Sequence, residues 1–324
     1  MKWKLLLNRF VQSCNNLKLL HKYYSNAKLL LTGEYLVLHG ALAFAVPLKY
    51  GQMLEVYDSD QSELEWIAYE KGKEWLHFLI SPSEIENQTE KGNTEKEFVC
   101  YLLNRAKFLN AGFLKSCSVK VKTKIDFDRA WGLGTSSSLI NNVAQWADVN
   151  PYELHAMVSN GSGYDIACAN YCKPILFRRQ GNHPMIYPID FDPSFLNQLH
   201  FIYRGNKQNS EESVKKFLNG KPVSNTDLES ISLISKRILQ SENTYEFDAL
   251  ISEHERFISQ IIDCKAIKGE KFSDFKGSIK SLGAWGGDFI LVRTDMEKRE
   301  LHSYFFEKGL TTIFSWKDLV LGTN

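Results

Sequence analysis

The sequence predicts an α+β fold in two units, on three observations. Short β-branched and aromatic segments crowd the first third of the chain, helical periodicity follows them, and near residue 185 the texture changes to strands mixed with long helices. At 324 residues the chain can hold two cores.

The elements follow in order. Residues 27–37 (AKLLLTGEYLV) are an apolar run broken at Gly33-Glu34, and residues 41–46 are a second run ended by Pro47. Residues 52–58, 64–69 and 75–80 lie between polar turns, as antiparallel strands do. Residues 95–109 space Phe98, Leu102, Leu103 and Phe108 as a helix does. Residues 118–123 alternate valine with lysine, which predicts a half-buried strand with its lysines in solvent. A helix is expected over 139–146, another opening at Pro151, and a third over 164–171 after the Gly161-Ser-Gly163 break. Beyond residue 185 the pattern predicts strand 199–204, helices around 211–218, 227–240 and 245–263, strand 288–293, helix 296–308 and strand 311–316.

Composition narrows the function classes. A net charge of +1 lacks the basic excess of a nucleic-acid binder, and no apolar run approaches the ~18 residues of a membrane span. The six cysteines show no CxxC and the eight histidines no HExxH, so reduced thiols in a cytoplasmic protein are expected rather than a metal centre. Residues 1–25 carry five basic residues and no acid, and Leu5-Leu6-Leu7 is too short for a secretory core. They read as an N-terminal extension, of which residues 1–23 are expected to be dispensable for folding and activity.

Residues 131–142, WGLGTSSSLINN, place two glycines and four hydroxyls directly at a helix start. A helix N-terminus presents unpaired N–H groups and partial positive charge, so a glycine-rich entry makes an anion cradle. Serine is also an ordinary N-cap, and that alternative stays open for the stretch alone. Two further segments strengthen the functional reading. NGSGYDIA (160–167) isolates Asp165 after a glycine turn, and KSLGAWGGDF (280–289) is a second glycine-rich turn feeding a strand.

These residues carry a resemblance. NAKLLLTGEYLVLHG resembles the amino-terminal signature of the GHMP small-molecule kinases (galactokinase, homoserine kinase, mevalonate kinase, phosphomevalonate kinase), which reads much like PGKxxLxGEHxVxxG. WGLGTSSSL resembles their phosphate loop GLGSSAA, SGYDIA their SGxDxA segment, and LGAWGGDF their third motif GAGGGG. All stand in the family order between residues 26 and 293. The chain is also similar to a branch of these kinases named for its GYDIA segment.

The resemblance implies a two-domain GHMP kinase fold: an ATP-binding domain over 26–184, like ribosomal protein S5 domain 2, and a ferredoxin-like domain over 185–324. It implies ATP and Mg²⁺ as cofactors. Gly132, Leu133, Gly134, Thr135, Ser136, Ser137 and Ser138 would wrap the phosphates, with Ser136 reaching the metal. Asp165 would orient or deprotonate the acceptor, and Lys28 would pair with it and neutralise the transferring phosphoryl group. Glu34 would buttress Lys28 or its loop. Gly283, Gly286 and Gly287 would cover the substrate side, and Arg204 and Lys207 would supply cations for a phosphorylated acceptor. Two departures stand out: Trp285 replaces a family glycine, and the magnesium-binding glutamate about eleven residues before the catalytic aspartate is matched only by Glu153, one position off. The implied activity is phosphoryl transfer to a mevalonate-type acceptor, mevalonate or phosphomevalonate. A diphosphomevalonate decarboxylase and a non-catalytic nucleotide sensor are the alternatives. The expected partner is a small-molecule substrate, with no nucleic acid and no membrane, and the chain acting as a monomer or homodimer.

Overall fold

A computed structural model describes residues 17–181, 183–205, 210–285 and 288–322. The chain enters as β1 (Leu19–Thr32), antiparallel to the long β2 (Ala43–Asp58) from Leu19↔Tyr57 to Thr32↔Phe44. Strands β3 (Leu64–Glu70) and β4 (Lys73–Ile80) form a hairpin on Lys71-Gly72, both at positive φ (49° and 79°). Two positive-φ residues give the turn whose twist matches the flanking strands. β5 (Val119–Ile125) inserts parallel to β3 and antiparallel to β2. β6 (Ile175–Arg178) takes the other end of that β2 edge, and β7 (Met185–Pro188) completes a seven-stranded sheet.

Helices α1 (Pro82–Asn87) and α2 (Glu95–Leu109) both begin on capping boxes, Ser81 with Glu84 and Thr94 with Glu97. With α3 (Thr135–Ala147), α4 (Pro151–Val158) and α5 (Tyr164–Asn170) they cover the first sheet. Leu102, Leu103, Ile140, Val143 and Leu154 pack there on Leu54, Val56, Trp66 and Val121. Beyond lies an all-antiparallel sheet in the order β11-β8-β10-β9, made of β8 (Leu199–Tyr203), β9 (Ser278–Ser281), β10 (Phe289–Arg293) and β11 (Ile313–Ser315). Its helices are α6 (Ser210–Leu218), α7 (Asn225–Gln240), α8 (Thr244–Ile262), α9 (Ile267–Lys271), α10 (Lys298–Phe306) and α11 (Trp316–Leu319).

One core cluster spans both sheets. Leu29 and Leu31 of β1 and Phe44 of β2 join Phe201, Leu291, Ile231, Ile234 and Trp316 in a single buried cluster. Burying each such side chain is worth about 1.5–3 kcal/mol, so the units are welded together.

The structure corrects both expected boundaries. β1 starts at Leu19, so residues 19–25 belong to the sheet and are not extension. The segment LLHKYYS is mixed in polarity and mostly exposed, so no apolar run announced it. Buried Ser25 shows why it matters. Its hydroxyl donates to Asn142 Oδ1 (2.8 Å) and accepts from Asn141 Nδ2 (2.8 Å), while Asn142 Nδ2 reaches Gln52 O (2.9 Å). That network pins α3 to the first two strands. At the other boundary, β7 pairs with β6, so the first sheet runs past residue 184 to Pro188. Strands β6, β7 and β9 are four residues each, too short for alternation to reveal. The five described cysteines are free. Among the described residues no helix is long and apolar enough to cross a membrane.

Candidate active site

Helix α3 begins with no side-chain cap: its N-cap is Gly134, at φ 94°. The hydroxyl run is therefore not an N-cap. Ser138 is buried and donates to Gln52 Oε1 (2.7 Å), whereas Thr135, Ser136 and Ser137 line a cleft of about 810 Å³. The uncapped N–H groups at this helix start leave the anion cradle open. The glycines are required by close approach: a Cβ on Gly134 would meet Lys28 Cε at 2.8 Å, and one on Gly132 (φ 68°) would meet the Asp288 carboxyl carbon at 2.5 Å.

Lys28 reaches the cleft from β1, and its backbone N–H donates to Leu133 O (3.1 Å), which ties the strand to the loop. Its ammonium pairs with Asp165 Oδ1 at 3.2 Å and lies 5.3 Å from the Tyr164 ring centroid. Burial disfavours the ammonium, but Tyr164, Asp165 and Asp288 together outweigh it and hold the Lys28 pKa above its ordinary value. Asp165 is placed by the first turn of α5, entered through Gly163 at φ 90°. His155 of α4 lines the same end; burial lowers its pKa, with Asp165 opposing and Arg179 reinforcing the shift, so the imidazole is held neutral.

The second unit adds α6 and the turn after β9. Gly283, Ala284 and Asp288 line the cleft, and Tyr35 Oη donates to Ala284 O (2.8 Å). Tyr35 holds φ 64°, a strained value for a bulky residue, at the GEY turn where the units meet. Glu34, next to it, is buried and bonded to the Lys280 ammonium, with His254 Nε2 at 3.3 Å. At the far end, Arg129 stacks on Trp75 (3.5 Å), and Lys91 pairs with Glu211 of α6 at 2.7 Å.

No protein-family model matches the chain, and no curated protein matches it. Solved structures do. The Methanococcus jannaschii mevalonate kinase is similar over 96% of this chain and 100% of its own, with TM-score 0.69 and 14% identity. The chain has the GHMP kinase fold. The Streptococcus pneumoniae phosphomevalonate kinase in complex with phosphomevalonate and AMPPNP is similar over 91% of this chain and 99% of its own (TM-score 0.69, 15% identity). The Lactococcus lactis galactokinase complexed with galactose is similar over 100% and 99% (TM-score 0.67, 13% identity).

Within the GHMP kinase fold, Lys28, Asp165, Gly132, Gly134, Thr135, Ser136, Ser137 and Gly283 all line the one cleft. Five expectations need correction. Leu133 is fully buried, and only its carbonyl touches Lys28. Ser138 serves the α3–β2 contact described above. Glu153, in the first turn of α4, is not part of the cleft lining; from this helix His155 and Val158, one turn apart, line the cleft instead. Arg204 does not line the cleft either; its N–H donates to Asp288 O (2.9 Å) at the end of β8. Glu34 pairs with Lys280, not with Lys28. Trp285 resolves its departure by taking φ 44° and burying its ring in the shared core. Lys207, Gly286 and Gly287 lie outside the described residues. Sequence reasoning missed Tyr164, His155 and Asp288. The last stands inside LGAWGGDF, where the glycines carry the visible signal.

Proposed function

We propose that the protein is an ATP-dependent small-molecule kinase. The observation that carries this is the Lys28–Asp165 pair, 3.2 Å apart, beside the uncapped N-terminus of α3 in one cleft. Catalysis of phosphoryl transfer is mostly positioning and charge stabilisation, and these groups do both. The Gly132–Ser137 turn holds the phosphates with backbone N–H groups. Asp165 orients the acceptor hydroxyl and takes its proton as the oxygen bonds to the γ-phosphorus. The bond from that phosphorus to the bridging oxygen breaks, and ADP leaves. Lys28 balances charge on the moving phosphoryl group. A nucleotide sensor needs neither side chain.

The residues fit a nucleotide with magnesium. Glycines 132 and 134 leave a cradle that Cβ atoms would fill, and Ser136 presents an exposed hydroxyl in it. Among the described residues no three His, Cys, Asp or Glu converge as a metal site, so the ion would be held jointly with phosphate oxygens. Magnesium, when bound, would neutralise phosphate charge, with the Ser136 hydroxyl as the side chain that would hold it.

The acceptor reading is a mevalonate-type acid, with phosphomevalonate ahead of a sugar. The cleft lining includes Leu30, Val37, Leu38 and Val158, with Leu30 and Val37 in one buried cluster with Tyr164, alongside the polar groups of His155, Ser159, Asn160 and Ser162. Such a wall suits a small, partly apolar acid better than a ring of hydroxyls. A screen of ADP release against mevalonate, phosphomevalonate, galactose and homoserine tests it. Turnover with a mevalonate-type acid is expected; turnover only with galactose or homoserine contradicts it.

A further inference from the structure

We propose that His155 binds the acidic group of the acceptor, a carboxylate or a phosphate, and takes up a proton from solvent as it does so. The inference rests on the kinase reading above and deepens it. Helix α4 lays His155 against the glycine turn that leads to Asp165: a Cβ on Gly161 would meet its Nε2 at 3.2 Å. His155, Ser159, Asn160, Gly161, Ser162 and Asp165 all line the cleft.

His155 is only 5% exposed, and among the described residues no hydrogen bond reaches its ring nitrogens. Buried polar groups in folded proteins have partners, and the space this ring borders is the cleft. Two neighbouring hydroxyls suit the same ligand. Ser159 Oγ accepts from Gly161 N (3.1 Å) and Ser162 Oγ from Tyr164 N (3.4 Å). Each hydroxyl accepts from the backbone, so its own proton is left to donate.

The charges around the ring set its response. Burial lowers the His155 pKa, Asp165 of α5 opposes the shift, and Arg179 at the end of β6 reinforces it. Asp165 is itself paired with Lys28 at 3.2 Å. Helix α3 carries no titratable side chain, and α2 meets α4 through Tyr101, whose hydroxyl donates to Met157 O (2.8 Å). An acid docked beside the ring adds negative charge, which favours the imidazolium. Arg179, whose Nη1 donates to Leu38 O (3.3 Å) in the cleft wall, attracts the same anion. A sugar brings no such charge, so the device selects acids. Binding takes up a proton wherever pH lies between the free and bound pKa, and acceptor affinity falls as pH rises across that window.

Steady-state kinetics with ATP, magnesium and mevalonate or phosphomevalonate, on wild type, His155→Ala and His155→Gln, tests the assignment. His155→Ala should raise the acceptor KM about tenfold or more, the worth of a charged hydrogen bond, and leave the KM for ATP unchanged. His155→Gln, which donates but cannot ionise, should recover part of that loss. The wild-type acceptor KM should climb between about pH 6 and about pH 8, the range of a histidine switch, and the His155→Gln curve should run flatter. Titration of the acceptor itself is common to both enzymes and cancels. A response with mevalonate assigns the carboxylate; a response with phosphomevalonate alone assigns the phosphate. Equal rises in both KM values, or parallel pH curves, overturn the proposal, since a ring that only packs the wall would give them. If neither variant folds, calorimetry of wild type in buffers of different ionisation enthalpy carries the test. The acid that turns over should bind the complex with a non-transferring ATP analogue with proton uptake, and no uptake overturns the proposal. Turnover with galactose alone removes the acid acceptor, and no turnover with any candidate removes the kinase reading. The proposal falls with either, whereas a failed His155 test leaves both standing.

Discussion

Ser136 and Ser138 stand two residues apart and meet different surroundings. Ser136 is exposed in the cleft, while Ser138 is buried against Gln52 Oε1. Ser138→Ala should therefore lower stability by about 1–3 kcal/mol, because it strands a buried acceptor, and leave the magnesium dependence of ATP binding alone. Ser136→Ala should do the reverse. Denaturant melts and calorimetry on both variants check this; equal stability losses would contradict it. At this scale the sequence was half legible. Motif order singled out Lys28, Asp165 and the loop, which share one cleft, but it could not tell which hydroxyl turns inward, since that depends on Gln52, 86 residues upstream. Nor could it tell that α4 presents His155 rather than Glu153, because two residues along a helix turn a side chain by about 200°.

At the scale of elements, β1 is the clearest case. Its inner half is an apolar run that sequence reading finds, and its outer half carries no signal of its own, being ordered by β2 and by the Asn141–Asn142 pair. Deleting residues 1–25 should lower the melting temperature sharply, because it removes the outer strand and leaves buried Asn141 and Asn142 without Ser25. Deleting residues 1–16 removes none of those bonds. Equal melting temperatures for both truncations would contradict the placement of β1. The α8–β9 contact gives a pH prediction. Glu255 is buried, accepts from Ser281 N (3.0 Å), and has its pKa pushed up to about 7, chiefly by burial, with Lys280 opposing and Glu34 adding. A carboxyl whose folded pKa is raised contributes stability that is present below its unfolded pKa and lost as pH rises through the folded one. Wild type should thus lose stability relative to Glu255→Gln between about pH 5 and about pH 8. The nearby His254 is common to both proteins and cancels. A pH-independent gap in melting temperature would contradict it.

Across the whole molecule, the two sheets share a core cluster, and the cleft takes the Gly132–Ser137 turn and the Lys28–Asp165 pair from the first unit and Gly283 and Ala284 from the second. The α+β class and motif order were legible because strands, helices and glycine turns each leave local signals. The join between units was not. Glu34, Lys280, His254 and Glu255 are scattered over more than 200 residues and meet only in the folded chain. The central claim is that the Lys28–Asp165 pair moves a phosphoryl group from ATP to a bound acceptor. Phosphorus NMR of ATP, magnesium and phosphomevalonate or mevalonate, with wild type and with Asp165→Asn, tests it most directly. Wild type should convert the γ-phosphate resonance into a new phosphoester or diphosphate signal alongside ADP. Asp165→Asn should bind ATP normally and slow that conversion ~10²-fold or more, as losing a positioned base does. Conversion at the wild-type rate by Asp165→Asn, or none by wild type with either acceptor, would contradict the account.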